Sequence, residues 1–138
     1  MSKIPQRIKI ASYKMSITSH IDKNKDLTVF TVTGILSFDK VMPIIKDFYD
    51  GDPTKNVLWD LNDIKEVQLT SEEVRAIVSY EPRFEGKRSS GKTAFVVQKD
   101  VLFGMSRMFE IQSSMKNIPY EIEVFRNRDE AYQWLDEP

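Results

Sequence analysis

The string Gly86-Lys87-Arg88-Ser89-Ser90-Gly91-Lys92-Thr93 satisfies the phosphate-loop pattern G-x-x-x-x-G-K-S/T at every position. That chemistry needs a strand before the string and a helix after it. Only then do helix-terminal N–H groups and the helix dipole meet the phosphates. Here the order is reversed: an amphipathic helical segment precedes the string, and the apolar run Thr93–Gln98 follows it. Lys92 and Thr93 therefore enter a strand. The simpler reading is an αβ connection with solvated charge, with nucleotide binding through Gly86–Thr93 as an alternative. The stretch also sets Arg83, Lys87, Arg88 and Lys92 within ten positions. Of these, Arg88 and Lys92 offer an anion contact, to an acidic partner or to lipid head groups.

Three further groups of residues could carry chemistry. Asp60 closes the apolar run Asn56–Leu61, with Asn62 and Asp63 just beyond it. Parallel α/β sheets bind ligands past the carboxyl ends of their strands, so these carboxylates stand at a functional edge. No further ligand completes a Mg²⁺ site, and an Asp at a strand end also caps or hydrogen-bonds the following loop. Phe103-Gly104-Met105-Ser106-Arg107-Met108-Phe109-Glu110 is the densest segment. Phe103, Met105, Met108 and Phe109 either pack against a sheet or line a pocket for an apolar ligand, and helical spacing does not separate the two. Arg107 and Glu110, three apart, can pair on the helix surface, or Arg107 can reach Asp60 or Glu73. His20 lies on the polar side of an expected edge strand with no partner to orient it for acid–base work, so an exposed surface histidine is expected. Trp59 is expected in the core, its N–H bonded locally.

Composition narrows the function classes. The 138 residues suit one domain, are 41% apolar, and include no Cys and a single His. Disulfides, thiolate nucleophiles, cysteine metal sites and multi-histidine sites are excluded. Twenty basic residues against 21 acidic ones give a net charge of −1, which argues against a nucleic-acid partner. The basic stretch Met1–Lys9 has no apolar segment after it, and no apolar run approaches the ~20 residues of a membrane helix. A cytoplasmic chain without a transmembrane segment is expected, with residues 1–11 as a flexible N-terminal arm.

The elements that must position these residues follow from periodicity. Tyr13–Ile21 alternates loosely, Asp22–Asp26 is a polar turn, and Leu27–Thr33 is rich in β-branched residues, so a hairpin is predicted that ends at Gly34. Ser37 reads as an N-cap to a helix carrying Phe38, Val41, Met42, Ile45, Phe48 and Tyr49, with Pro43 producing a kink or a late start. Asn56–Leu61 reads as a strand covered on both faces, and Asn62–Leu69 as a loop. Thr70 with Glu73 has capping-box spacing ahead of a helix that stops or bends at Pro82. A strand at Thr93–Gln98, a helix from Asp100, a strand Tyr120–Phe125 after Pro119 and a helix Asp129–Leu135 complete the chain. The order β-β-α-β-α-β-α-β-α requires a mixed α/β sheet, mostly parallel, with an antiparallel N-terminal strand and helices packed on it. No linker or repeat divides it, so residues 1–138 read as one domain.

Several segments in this order carry a family resemblance: Val57-Leu58-Trp59-Asp60-Leu61, Thr70-Ser71-Glu72-Glu73-Val74, Gly91-Lys92-Thr93-Ala94, Phe103–Glu110, and Val124-Phe125-Arg126 before Asp129-Glu130-Ala131. From about Ser12 to Leu135 the chain resembles the SpoIIAA-like or STAS domain family of bacterial proteins. The resemblance is nearest to an uncharacterised branch grouped as STAS/SEC14-like. It implies a SpoIIAA-like fold and a non-enzymatic regulatory or protein-interaction module without a cofactor. In signalling members of the family a phosphorylated Ser or Thr opens the second helix, commonly within Asp-Ser followed by small residues and Gly. The resemblance places Thr70 or Ser71 there. Leu69 and Thr70 stand in place of Asp-Ser, however, and Glu72 and Glu73 in place of the small residues. A phosphate at Ser71 would meet favourable N–H groups and two unfavourable carboxylates. Ser71, Thr70 and Asp60 are the expected phosphoacceptor or interaction residues. The expected partner is another protein, and a homodimer is compatible with the chain. The SEC14-like kinship offers the alternative, a carrier or sensor of an apolar small molecule or lipid held by Phe103, Met105, Arg107 and Phe109.

Overall fold

A single aspartate shapes the turn between the first two described strands. Asp22 Oδ1 accepts hydrogen bonds from the backbone N–H groups of Asn24 (3.1 Å) and Lys25 (3.3 Å), and Asp26 takes a left-handed backbone with φ of 50°. Asp tolerates that conformation because its short side chain bonds locally. The turn joins β1 (Ser16–Asp22) to β2 (Leu27–Ser37), antiparallel from Ser16↔Thr33 to Asp22↔Leu27. The computed structural model describes residues 14–80, 88–115 and 120–138. The expected arm at 1–11, Tyr13, Pro82, Arg83, Gly86, Lys87 and Pro119 lie outside the described residues.

After the hairpin come α1 (Phe38–Asp50), β3 (Asn56–Gln68), α2 (Ser71–Tyr80), β4 (Lys92–Val96), α3 (Asp100–Met115), β5 (Glu121–Phe125) and α4 (Arg128–Asp136). The element order is the one expected. The five strands form one sheet in the order β1-β2-β3-β4-β5, with β2 to β5 parallel. Sequential order with right-handed crossovers puts α1, α2 and α3 on one face. That face holds the larger core: Val41, Met42, Ile45, Tyr49, Ile77 and Leu102 against Val32, Leu61, Phe95, Val97 and Val124. The other face, with Leu27, Val29, Leu58, Ala94 and Val96, is covered by Ala131 and Leu135 of α4.

Several expectations are corrected. Gly34 does not end β2, and Asn62–Leu69 is not a loop: β3 runs 13 residues, to Gln68. Between Thr31↔Asp60 and Thr33↔Asp63, β2 advances two residues while β3 advances three; between Gly34↔Ile64 and Ile35↔Glu66 the steps are one and two. Each extra residue is a bulge in β3, and Gly34 meets the irregularity with a φ of 81°. The paired segments Gly34–Ser37 and Ile64–Gln68 continue past the last β3–β4 pair, Asp60↔Val96. Lys99 Nζ donates to the Ile64 carbonyl oxygen at 2.8 Å, serving an edge that β4 has left. Ser37 occupies the N-cap position of α1 but its side chain makes no capping bond. The helix begins at Phe38 with Pro43 inside it, so the late start does not occur.

The phosphate-loop string is built into the fold. Lys92 and Thr93 lie in β4, as expected, but Arg88 and Lys92 are not solvated. Arg88 is 2% exposed. Its guanidinium donates to the Lys55 carbonyl (3.1 Å), the Tyr49 hydroxyl (3.2 Å), the Lys92 carbonyl (2.9 Å) and Thr93 Oγ1 (2.8 Å). It also lies 4.1 Å from the centre of the Tyr120 ring. All four acceptors are neutral, so a buried cation is held by dipoles and a ring face. Gly91 is required by close approach: a Cβ there would stand 2.0 Å from the Lys55 carbonyl oxygen. Lys92 Nζ donates to the carbonyls of Trp134 and Glu137, both at 2.7 Å, and lies over the Trp134 ring. The last turn of α4 has no basic residue of its own, so a strand lysine supplies the charge that favours a helix C-terminus.

Arg88→Met removes the donor that these four oxygens share and is expected to cost about 3 kcal/mol or more, read from urea unfolding. Arg88→Lys should recover little, because one ammonium cannot span the positions that a planar fork reaches. Near-wild-type stability of the lysine variant would contradict this reading of the knot.

Candidate functional site

The carboxyl ends of the parallel strands lead into the helix N-termini, where α/β sheets place ligands and partners. At α2 the sequence expectation is met. Thr70 Oγ1 accepts from the Glu73 N–H at 3.1 Å, and Glu73 Oε1 accepts from the Thr70 N–H at 2.9 Å. This reciprocal box satisfies two end groups and fixes the start of the helix. The Thr70 hydroxyl is thereby engaged as an acceptor. Ser71, the first residue of α2, is exposed, with Glu72 exposed beside it.

Asp60 does not join this surface. Its Oδ2 accepts from Arg128 Nη1 at 3.0 Å and its Oδ1 accepts from the Asn62 N–H at 3.1 Å. Arg128 opens α4, on the sheet face opposite α2. Arg128 also donates to the Tyr132 hydroxyl at 3.1 Å. That bond first, and Asp60 after it, holds the guanidinium above its ordinary pKa against the effect of burial. Asp60 is thus the anchor for the start of α4, while Lys92 anchors its end. Asp60 does not close its strand, as the sequence suggests, but lies inside β3, paired with Thr31 and Val96, and its side-chain partner stands 68 positions away.

The α3 residues divide. Met105 and Phe109 line an apolar recess of about 80 Å³ with Leu36, Trp59, Leu69 and Phe95. Phe103 and Arg107 do not line it. Phe103 lies beneath the Arg126 guanidinium, 4.1 Å from its ring centre, and Arg126 donates to Asp100 Oδ1 and to the Gln98 carbonyl, both at 2.8 Å. Arg107 pairs with Glu110 at 2.8 Å rather than with Asp60 or Glu73. Burial raises the Glu110 carboxyl above its ordinary value of 4.5, Arg107 opposes this, and the charge of Glu123 adds to it. Trp59 stacks on Phe30 at 4.4 Å, half-buried, and His20 is exposed. Among the described residues no helix is long and apolar enough to cross a membrane.

The geometry has solved counterparts. An anti-sigma factor antagonist from Mycobacterium paratuberculosis matches with a TM-score of 0.60 and 12% identity, over 90% of this chain and 96% of that one. An uncharacterised protein with a SpoIIAA-like fold from Shewanella loihica PV-4 matches with a TM-score of 0.52 and 17% identity, over 88% and 93%. No family model and no curated protein matches the sequence. The chain has the SpoIIAA-like fold, as its sequence resemblance implies.

Two predictions follow from the capping box and from Glu110. Thr70→Ala removes the cap and is expected to cost about 1 kcal/mol in chemical denaturation, whereas Ser71→Ala should stay within about 0.5 kcal/mol. A carboxyl raised on folding contributes stability that is fully present below its unfolded pKa and lost as pH rises through the folded one. The Glu110 contribution therefore fades as pH climbs from 4.5. Glu110→Gln should flatten that part of the stability–pH curve and leave the protein no less stable at pH 7.

Proposed function

We propose that the chain is a STAS-type regulatory module that acts by binding a protein partner, not by catalysis. The observation that carries this reading is the fold likeness to an anti-sigma factor antagonist across 90% of the chain. The start of α2 supports it locally. Leu69, Thr70 and Ser71 leave the sheet at the edge where α/β proteins present ligands. Their geometry is rigid because a capping box fixes it. Asp60 is not part of the contact surface in this reading, because its carboxylate holds α4.

Phosphorylation control, if the module uses it, falls on Ser71 rather than Thr70. The Ser71 hydroxyl is exposed at the first helical position, near N–H groups that favour a phosphate. A phosphate on Thr70 would break the box that defines the helix start. Glu72 and Glu73 oppose a phosphate on either residue, which favours a partner-binding role that a modification weakens.

The apolar recess does not favour the carrier reading. Pockets for drug-sized ligands run to about 300–1,000 Å³, and this one measures about 80 Å³.

The test is affinity capture from the protein's own cells with the wild-type chain and with Ser71→Glu, followed by phosphosite mapping. The expected result is a specific partner whose recovery falls about tenfold or more with the variant, and any phosphate on Ser71. Equal recovery by both baits would overturn the assignment of this surface, and phosphate on Thr70 would overturn its polarity.

A further inference from the structure

Among the described residues β1 is an edge of the sheet, paired on one side only, with β2. The outer side of such a strand presents unpaired backbone N–H and C=O groups, a template for another strand. Proteins blunt their edges with charged residues, proline, bulges or a covering element. From Ser16 to Ile21 the run Ser-Ile-Thr-Ser-His-Ile has no lysine, arginine, carboxylate or proline. Its register on β2 is unbroken from Ser16↔Thr33 to Asp22↔Leu27. Ser16, Thr18, Ser19, His20 and Ile21 are exposed. At 55% exposure, Ile21 is a large apolar side chain left in water on this edge.

The strand is self-complementary. Two copies related by a two-fold axis perpendicular to the sheet pair antiparallel, and each face of one copy continues the same face of the other. With the axis at Ser19, Ile17 of each copy stands opposite Ile21 of the other, and Ser19 stands opposite itself. Ile17 packs against the three-helix core, and Ser19 and Ile21 share its face by the two-residue alternation of a strand. The pairing therefore extends that core across the axis and covers Ile21 with a β-branched partner. A slip of two residues in either direction sets an isoleucine opposite Ser19 instead, so the apolar pattern selects this register.

Charge agrees with the same register. On the opposite face Ser16 of one copy stands opposite Asp22 of the other, which makes Lys14 a diagonal neighbour of that Asp22, twice by symmetry. Lys14 is exposed. The bonds that Asp22 accepts from its own turn both go to Oδ1. Among the described residues neither Lys14 nor Asp22 forms an ion pair within the chain.

We propose that β1 is a homodimerisation edge: two copies of the chain join their sheets antiparallel through Ser16–Asp22, about a two-fold axis at Ser19. A contact one strand wide is small against the roughly 1,600 Å² of a standard interface, so the dimer dissociates in the micromolar range. The edge does not include the Ser71 surface, and either assignment can fail without the other.

The experiment is sedimentation equilibrium of the full chain from about 1 to 500 µM, which brackets that range. A monomer–dimer equilibrium is expected. Ile21→Lys changes an exposed side chain and should weaken the dimer about tenfold or more by placing a charge opposite Ile17. Lys14→Glu should weaken it several-fold at low salt, since it sets like charges together. Cross-linking reads the register, because the chain has no cysteine of its own. Directly opposed Cα atoms stand about 4.5–5.5 Å apart, within disulfide reach, whereas Ser16 and its copy stand about 20 Å apart. Ser19→Cys should therefore give a covalent dimer under mild oxidation, and Ser16→Cys should not. A monomer at every concentration would overturn the proposal, as would equal cross-linking of the two cysteine variants. A dimer that neither Ile21→Lys nor Lys14→Glu weakens would overturn it too, and would move the contact to another surface, such as the exposed Ile111 and Met115 of α3.

Discussion

One buried guanidinium holds the amino-terminal end of the sheet together. Arg88 reaches the end of α1 through Tyr49, the segment before β3 through Lys55, the start of β4 through Lys92 and Thr93, and the approach to β5 through Tyr120. These pieces span more than 70 positions of sequence and meet on one planar group. Arginine suits the task because its five donors sit in a fixed fork and its charge is weakly hydrated. Desolvating that charge is costly, and the arrangement survives because its nitrogens share four oxygens and its face is covered by a ring. Gly91 belongs to the same constraint, since only a residue without a side chain lets the turn lie against the Lys55 carbonyl.

With that end fixed, the two faces of the sheet serve different purposes. Three helices build a deep core on one side, and their N-termini crowd the opposite end of the strands. On the other side, among the described residues, a single helix lies across β2, β3 and β4, held at its start by Asp60 and at its end by Lys92. Both anchors are strand residues whose side chains cross the layer boundary. At the α2 start the duties divide: Leu69 packs on the core, Thr70 caps the helix, and Ser71 and Glu72 stay exposed.

The sequence made the order of elements legible because each apolar run is separated by turn residues and keeps its period. The capping box was legible for the same local reason: Thr70 and Glu73 are three apart and bond to each other. The long arms of β2 and β3 were not. Asn62, Asp63, Lys65 and Glu66 are polar, the ribbon they build has one neighbour instead of two, and two bulges destroy the alternation that marks a strand. Arg88 was hidden for a different reason. It stands among Lys87, Ser89 and Ser90, a setting that reads as solvated, and its partners Tyr49 and Lys55 lie more than 30 positions back. Lys92 and Thr93 matched a nucleotide motif letter by letter, yet each was spent on packing. A motif defined by residue types carries chemistry only when the surrounding elements point those residues at a ligand.

The separation of layers also distributes the two tryptophans. Trp59 stacks on Phe30 within the three-helix face, and Trp134 sits against Phe125 and Lys92 on the single-helix face. The molecule thus carries an intrinsic optical probe in each layer, one beside another aromatic ring in an apolar setting and one beside a cation. Emission from the two indoles resolves the melting of one face from that of the other without any attached dye. A protein that sheds α4 before the rest, as its few tethers permit, announces it in the Trp134 signal while Trp59 stays dark to the event.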